Sequence, residues 1–410
     1  MTFLDFLREN ARWLAAGFLL TFASSFGQTF FISVFASEIR GAFGLSHGAW
    51  GAVYAAATMG SAAVMLLAGG LTDRFRVRHI GVVVLTGLAC AAVAMAHASD
   101  VWMLVIVIFL LRLFGQGLMG HTAMVAMARW FVATRGRAVS VAGLGVALGE
   151  AMLPILFAAA LTLGDWRNLW LVAACALLAL VPVLWVLLRQ ERTPQSFAAA
   201  AGATGIGGRM WTRIDVLRHP VFWLMLPALM GPAAWNTAFF FQQVHLAEAK
   251  GWGHVTLVAL FPLFTATSVG FMLLSGGLVD RFGSTRLAGV YLLPLALGYL
   301  GFWLAGSVGA GALSIVLMGA GVGMHVTLMA TFWAEAYGTR HLGAIRAMMA
   351  AIMVLGTALG PALTGALIDH GIDFPSQSIG IALYFAIASG LAGLAGRLAR
   401  GSARVPQQQP

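Results

Sequence analysis

Along this chain long apolar runs alternate with short polar knots. A run of eighteen or more apolar residues has the length of a helix that crosses a bilayer, because about 20 residues rising about 1.5 Å each span the hydrocarbon core. Twelve such runs fall at about 13–37, 48–70, 80–98, 101–128, 138–163, 168–188, 220–247, 254–279, 286–305, 309–333, 344–368 and 379–398. The glycines and prolines inside them are compatible with helices in lipid, where neighbouring helices satisfy the backbone groups that a break frees. The pattern predicts an all-α membrane protein with twelve transmembrane helices.

Composition strengthens this picture. Of the 410 residues 60% are hydrophobic and 9% charged, with a mean hydropathy of +0.89, outside the range of a soluble domain. A net charge of +10 raises the question of nucleic acid, and the positions of the cations answer it. They alternate by loop: 20 fall on the side that holds Arg8 and Arg12, against Arg40, Arg167 and Lys250 on the other, with Arg112 left inside a span. By the positive-inside rule both termini are cytoplasmic, and the basic balance reflects topology in a multi-pass protein of the cell inner membrane. Nucleic acid is not an expected partner; the bilayer is. The first apolar run is too long for a signal peptide and leads straight into a second span, so no cleavable leader is expected. Cys90 and Cys175 both lie within spans and form no disulfide or metal framework.

The charged knot "GGLTDRFRVRH" at 69–79 exposes an internal repeat. Gly69, Gly70, Leu71, Asp73, Arg74 and Phe75 recur as Gly276, Gly277, Leu278, Asp280, Arg281 and Phe282, 207 positions later and so about half the chain away. Gly117 and His121 likewise recur as Gly321 and His325, and Glu38 and Arg40 as Glu248 and Lys250. Six spans per half give both repeats the same membrane orientation, the arrangement of many secondary transporters. The expected organisation is two pseudo-symmetric six-helix bundles, 1–188 and 219–410, joined by a cytoplasmic linker at 189–218 whose "MWTRIDVLR" suits an amphipathic surface helix.

Over nearly its whole length the chain resembles the major facilitator superfamily. The loops at 69–79 and 276–286 are similar to its signature G-x-L-x-D-R-x-G-x-x-[RK]; the second keeps the turn glycine at Gly283, and the first has Arg76 there. "RLFGQG" at 112–117 resembles the fourth-span motif with its embedded arginine, and "GDWRNLW" at 164–170 resembles the approach to span six. The resemblance implies a monomeric transporter that alternates between two shapes. Asp73 with Arg74, and Asp280 with Arg281, would then be conformational latches, carboxylates facing a neighbouring helix N-terminus and nearby arginines. The rival reading is that these loops only fix topology. "AEAYGTRHLGAIR" at 334–346 is similar to monocarboxylate and oxalate/formate-type members, which points the substrate toward carboxylates.

Charges in mid-span carry the chemistry, since even a mild scale makes a central arginine cost about 2.5–3.5 kcal/mol without a partner. Arg112 lies eleven residues into span four and Glu150 twelve into span five, at similar depth in antiparallel neighbours. Either they form a structural ion pair, or substrate and proton compete for them, Arg112 binding an anionic group and Glu150 carrying the proton of a symport. The family's antiporter pattern has proline where Glu150 stands, which argues against antiport. His121 and His325 are candidate proton-handling groups, with interhelical hydrogen bonding as the alternative. On a straight helix, Arg112 and His121 nine positions apart point to opposite faces.

Polar stripes extend the expected substrate site: Ser25 and Gln28, in register with Thr21 on span one, and Asn236 and Gln243 around Phe239 on span seven, with Trp235 and the phenylalanines as an apolar wall. Glu38, Glu248, Glu335 and Asp369 sit near span ends, where solvation is expected. The Met and His residues of "HTAMVAM" and "HVTLM" leave a copper importer as an alternative, and a drug or metabolite exporter as another; neither a resident metal nor a cofactor is expected. No nucleotide-binding glycine loop, G-x-S-x-G nucleophile or extramembranous domain large enough for an ATPase is found, so the chain reads as a transporter and not an enzyme.

Overall fold

The computed structural model describes residues 3–68, 71, 75–131, 134–190, 205–338 and 341–403. Two compact units divide the chain, Met1–Ala199 and Ala200–Pro410. Among the described residues nine helices are long and apolar enough to cross a bilayer by themselves, and ten when Ala11–Gly27 and Thr29–Phe43, bent by 47° at their junction, count as one span.

The first unit holds α1 (Phe3–Glu9), α2 (Ala11–Ser24), α3 (Thr29–Ile32), α4 (Ala36–Phe43), α5 (His47–Ala68), α6 (Val77–Ala96), α7 (Val101–Leu111), α8 (Gly120–Trp130), α9 (Arg135–Leu161) and α10 (Trp166–Leu187). With the 22-residue α5 added to the five spans of this unit in that count, these make six spans, but two of them are not the straight rods that the apolar pattern predicts. The first breaks after α2 through a 3-10 turn at Ser25–Gly27, and Gln28 is extended with φ −86° and ψ 157°. The local sequence "SSFGQT" accounts for this, since serine, threonine and glycine are poor helix formers and the hydroxyls compete for backbone groups. The fourth span joins α7 to α8 through a π-helix at Arg112–Met119. Its wider turns rotate less per residue, so the straight-helix expectation that Arg112 and His121 face opposite ways does not apply.

Close helix packing holds the break in place. A Cβ on Gly115 of the π-helix would meet the Gly27 Cα at 2.5 Å, so backbone rests on backbone where spans one and four cross. A Cβ on Gly149 of α9 would strike the Ser25 side chain, and the Thr21 hydroxyl donates to the Ala142 carbonyl of the same helix. Small residues spaced by four let membrane helices approach this closely, which matters because lipid supplies no hydrophobic drive between them. Phe31, Phe157 and Trp170 fill the space beside the break, with ring centroids 4.8 Å (Phe31–Phe157) and 5.3 Å (Phe31–Trp170) apart.

The second unit holds α11 (Arg213–Arg218), α12 (Pro220–Phe241), α13 (Gln243–Ala249), α14 (His254–Val258), α15 (Phe261–Phe282), α16 (Ser284–Leu287), α17 (Leu293–Leu304), α18 (Val308–Tyr337), α19 (Leu342–Asp369) and α20 (Phe374–Ala403). Here turns interrupt the eighth span between α14 and α15 and the ninth between α16 and α17. Within the stretch expected as a linker, residues 205–218 fold against this unit and bury Ile206, Trp211 and Val216. The leading span α12 stays helical through Pro227 and Pro232. Pro232 has no N–H to offer the Ala228 carbonyl one turn back, and the Tyr291 hydroxyl donates to that carbonyl at 3.3 Å instead.

The three cations that the loop count set apart have structural partners. Arg167 donates to the carbonyls of Ala96 and Ala98 at 2.8 and 2.9 Å, at the end of the third span of the first unit. Lys250 donates to Trp303 and Ala305 at 3.1 and 2.9 Å, at the end of the third span of the second. Arg40 reaches the Leu45 carbonyl and the His47 ring. A cation at a helix C-terminus meets both unsatisfied carbonyls and the negative end of the macrodipole.

Candidate functional site

Arg112 is the first residue of the π-helix and is 1% exposed. Its Nη1 donates to the Gly27 carbonyl at 3.2 Å, at the break in span one, and to the Thr29 hydroxyl at 3.4 Å. Thr29 in turn shares a 2.5 Å hydrogen bond with the Tyr54 hydroxyl on α5, and the guanidinium carbon lies 5.2 Å from the Tyr54 ring centroid. One end of the guanidinium is therefore fixed by spans one and two. Nε and Nη2 are buried and meet no acceptor in the protein. These two N–H groups form one edge of the fork, the geometry that matches both oxygens of a carboxylate.

Two expected site residues flank, along the chain, the Gly27 carbonyl and the Thr29 hydroxyl that hold this cation. Gln28 is the extended residue at the break and is half-buried; Ser25 is fully buried, and its hydroxyl has no hydrogen-bond partner. Since Ser25 lies against Gly149, span one contacts α9 one residue from Glu150, which is itself half-buried. The expected continuous stripe from Thr21 through Ser25 to Gln28 does not exist as such: the helix ends at Ser24, Thr21 bonds α9, and Gln28 leaves the helical register. Thr29 and Tyr54 were not among the expected site residues. The available signal was that Tyr54 is the one tyrosine in the first half of the sequence.

In the second unit the expected residues separate. Phe239 is 1% exposed and packs among Phe240, Phe261 and Phe302 at 5.4, 6.2 and 5.3 Å, inside the unit's own core of spans seven to nine. It is a core residue here, because aromatic rings gain most where neighbouring rings enclose them, and not the open apolar wall expected. Trp235 and Asn236 are half-buried, and the indole N–H and the amide oxygen have no hydrogen-bond partner; Trp235 meets Tyr384 edge-on at 5.5 Å. Gln243 is fully buried.

The two symmetry-related histidines have unlike settings. His325 is 5% exposed, stacked on Tyr291 with centroids 5.9 Å apart, and neither ring nitrogen has a hydrogen-bond partner. His121 is half-buried. Among the described residues no group of three or more His, Cys, Asp or Glu is placed to hold a metal ion.

Of the charged turns, Asp73 and Arg74 lie outside the described residues. In the second copy Gly283 has φ +80°, a conformation that favours glycine, and ends α15. Arg281 is exposed over the Phe282 ring. The Asp280 side chain lies outside the described residues; a carboxylate at the next helix start is that of Glu335, which accepts from the Ser284 backbone N–H at 3.2 Å and from the Ser284 hydroxyl at 2.5 Å. Glu335, expected to be solvated, thus caps α16 although it is exposed. In "GDWRNLW" Asp165 caps α10, accepting from the Arg167 N–H at 2.7 Å.

Known proteins share this architecture. A crystal structure of a bacterial homologue of the human lysosomal transporter Spinster, inward-facing and unoccupied, superposes with a TM-score of 0.76 at 16% identity, over 97% of this chain and 99% of that one. Its inward-facing, occupied counterpart gives 0.73 at 16% identity, over 96% and 98%. At that identity the likeness establishes the fold. A probable transporter of Streptomyces coelicolor is 30% identical over 211 residues, 50% of this chain and 46% of its own length, so the chain spans about half the length of that curated relative. The sequence profile of the Major Facilitator Superfamily matches residues 17–361, and this chain belongs to that superfamily.

Proposed function

We propose that the protein is a secondary transporter of the cell inner membrane that carries a small organic anion by alternating access, in symport with protons. The observation that carries this reading is the buried Arg112: one end of its guanidinium is pinned to the broken span and the Nε/Nη2 edge has no protein acceptor. A cation in the membrane interior is stabilised when an anion completes its hydrogen bonds, and planar bidentate pairing selects a carboxylate. The resemblance of residues 334–346 to monocarboxylate and oxalate/formate-type members points the same way.

Substrate binding is coupled to shape through the break. Gly27, Gln28 and Thr29 move with α2 and α3, so an anion that draws the guanidinium toward itself changes the bonds that hold the two halves of span one. Glu150 is the proton carrier in this scheme: its helix touches Ser25 at Gly149. Gln28, next to the Gly27 carbonyl that holds Arg112, supplies a further contact to the solute within the first unit. The charged turns with Asp73 and Asp280 act as latches between the two shapes. The protein works as a monomer.

Purified protein in liposomes, given pooled carboxylates and an imposed pH gradient, tests this. Uptake that follows the gradient and is lost in Arg112→Ala and Glu150→Gln is the expected result. Normal uptake in both variants would reduce these residues to structural roles. Export that lowers accumulation would replace the symport reading.

A further inference from the structure

The segment at 209–218 carries a cationic and apolar surface that anion transport does not use. Thr212 opens α11 with a capping box, its N–H donating to the Asp215 carboxylate at 3.0 Å and its hydroxyl to the same oxygen at 2.5 Å. The one acid of the segment is thereby engaged, and Thr212 first, then Arg209 and Arg218, hold its carboxyl below the usual carboxylate range. Against it stand three exposed arginines, Arg209, Arg213 and Arg218.

Their arrangement has a direction. At about 100° per residue Arg213, Leu217, Ile214 and Arg218 occupy one arc of about 140° on α11. Val216 lies off that arc and is buried against the unit, so the arc faces away from the protein. Ile214 and Leu217 are 62% and 41% exposed, which water alone does not favour. The depth is set by Trp223 in the first turn of α12: it is 56% exposed, and its indole N–H donates to the Leu217 carbonyl at 2.8 Å. An exposed tryptophan at the end of a membrane span belongs at the boundary between headgroups and acyl chains.

We propose that this face of α11 is a binding surface for anionic phospholipid, with Ile214 and Leu217 in the upper acyl region, Arg213 and Arg218 on the headgroup phosphates, and Arg209, ahead of the helix near Asp215, adding positive charge beside them. Apolar side chains flanked by arginines, at interfacial depth, match a lipid headgroup on charge and on polarity. A soluble anion would leave the two aliphatic side chains in water. The surface is independent of which solute the protein carries, so its test does not depend on the transport reading.

The full-length protein in a neutral detergent is titrated with phosphatidylglycerol, with phosphatidylcholine and with inorganic phosphate, and its melting temperature is followed. Phosphatidylglycerol is expected to raise the melting temperature at the lowest concentration. Each interfacial arginine contributes about a fivefold factor, ~1 kcal/mol. The R209Q/R213Q/R218Q variant is therefore expected to need at least tenfold more phosphatidylglycerol for half the effect. A control that removes exposed charge elsewhere, R8Q/R397Q, keeps the wild-type midpoint. Ile214→Ser/Leu217→Ser leaves every charge in place and weakens the response severalfold, which preserves the test should the triple variant fail to fold. An unchanged midpoint in both α11 variants overturns the proposal. So does a control that falls as far as the triple variant, or inorganic phosphate as effective as the lipid.

Discussion

In the first unit the leading span breaks at Gln28, and the Gly27 carbonyl takes its hydrogen bond from the Arg112 guanidinium at 3.2 Å. In the second the leading span runs on through Pro227 and Pro232, and the Ala228 carbonyl takes its bond from the Tyr291 hydroxyl at 3.3 Å. Both units must satisfy a backbone group that cannot reach water, and each does so from another of its own spans. The difference lies in the donor. A neutral phenol with one proton is used up by the carbonyl, whereas a guanidinium has five donors, and here two of its nitrogens remain without a protein acceptor. The first unit thus keeps a cation in reserve, and the second keeps a closed aromatic core.

The repeat sharpens the contrast. Pairing Gly117 with Gly321 places Val316 opposite Arg112, and span ten is a continuous α-helix where span four has a π-helix. Two halves with the same order of spans differ where one of them carries a charge.

The largest test of this asymmetry is to remove the two donors in turn. Arg112→Ala is expected to lower anion uptake at least tenfold, because hydrogen bonds to a charged group are worth about 1.5–3 kcal/mol. Arg112→Lys keeps the charge but loses the fork, and should recover little of it. Tyr291→Phe is expected to leave uptake within about twofold and to cost ~1 kcal/mol of stability, read as a melting temperature lowered by a few degrees. Equal losses of uptake in Arg112→Ala and Tyr291→Phe would remove the distinction between the units.

Glu150→Gln tests whether the first unit carries the proton of the proposed symport. Uptake driven by a pH gradient should vanish while exchange of labelled for unlabelled solute continues, a split that a purely structural glutamate would not produce.

Packing at the break comes next. Gly115→Val pushes a side chain into the Gly27 backbone and should destabilise by about 1–3 kcal/mol or more, with uptake lost in parallel. Gly120, on the same span with nothing near a Cβ, tolerates alanine. Thermal melts of the two variants compare them directly.

The smallest effects are at the span ends. Arg167→Gln and Lys250→Gln each remove a cation from a helix C-terminus and should cost up to about 1 kcal/mol, in either unit alike. The second unit adds a titrating partner there. Asp373 has its carboxyl held below the usual range, by Ser376 first and then by His245 and Lys250. Its folded value being the lower one, the stability it supplies is present above about pH 4 and is lost as pH falls below that. A melting curve against pH should show this loss, and Ser376→Ala should shrink it. An identical profile in that variant would contradict the assignment.

How much of this could be read in advance follows from physics at particular residues. The spans were legible because a bilayer demands about twenty apolar residues in a row, and the repeat because Asp73-Arg74-Phe75 and Asp280-Arg281-Phe282 recur as strings. Arg112 was legible because a charge in lipid is costly wherever its helix points. Its partners were not, since Gly27 and Thr29 lie more than eighty positions away and Tyr54 on another span. Phe239 was misplaced for the same reason: an aromatic residue on a membrane helix can line a site or fill a core, and only its neighbours Phe261 and Phe302 decide.

By itself the sequence determined that this is a membrane-spanning, all-helical, duplicated protein with a cation in one span, because hydropathy, repetition and charge are properties of the chain in order. Tertiary structure decided where the first span breaks, which backbone carbonyl holds Arg112 and which edge of it is left without a protein acceptor. Those depend on helices remote in sequence coming within a few ångströms, at glycines whose missing side chains become meaningful only once a neighbour stands against them.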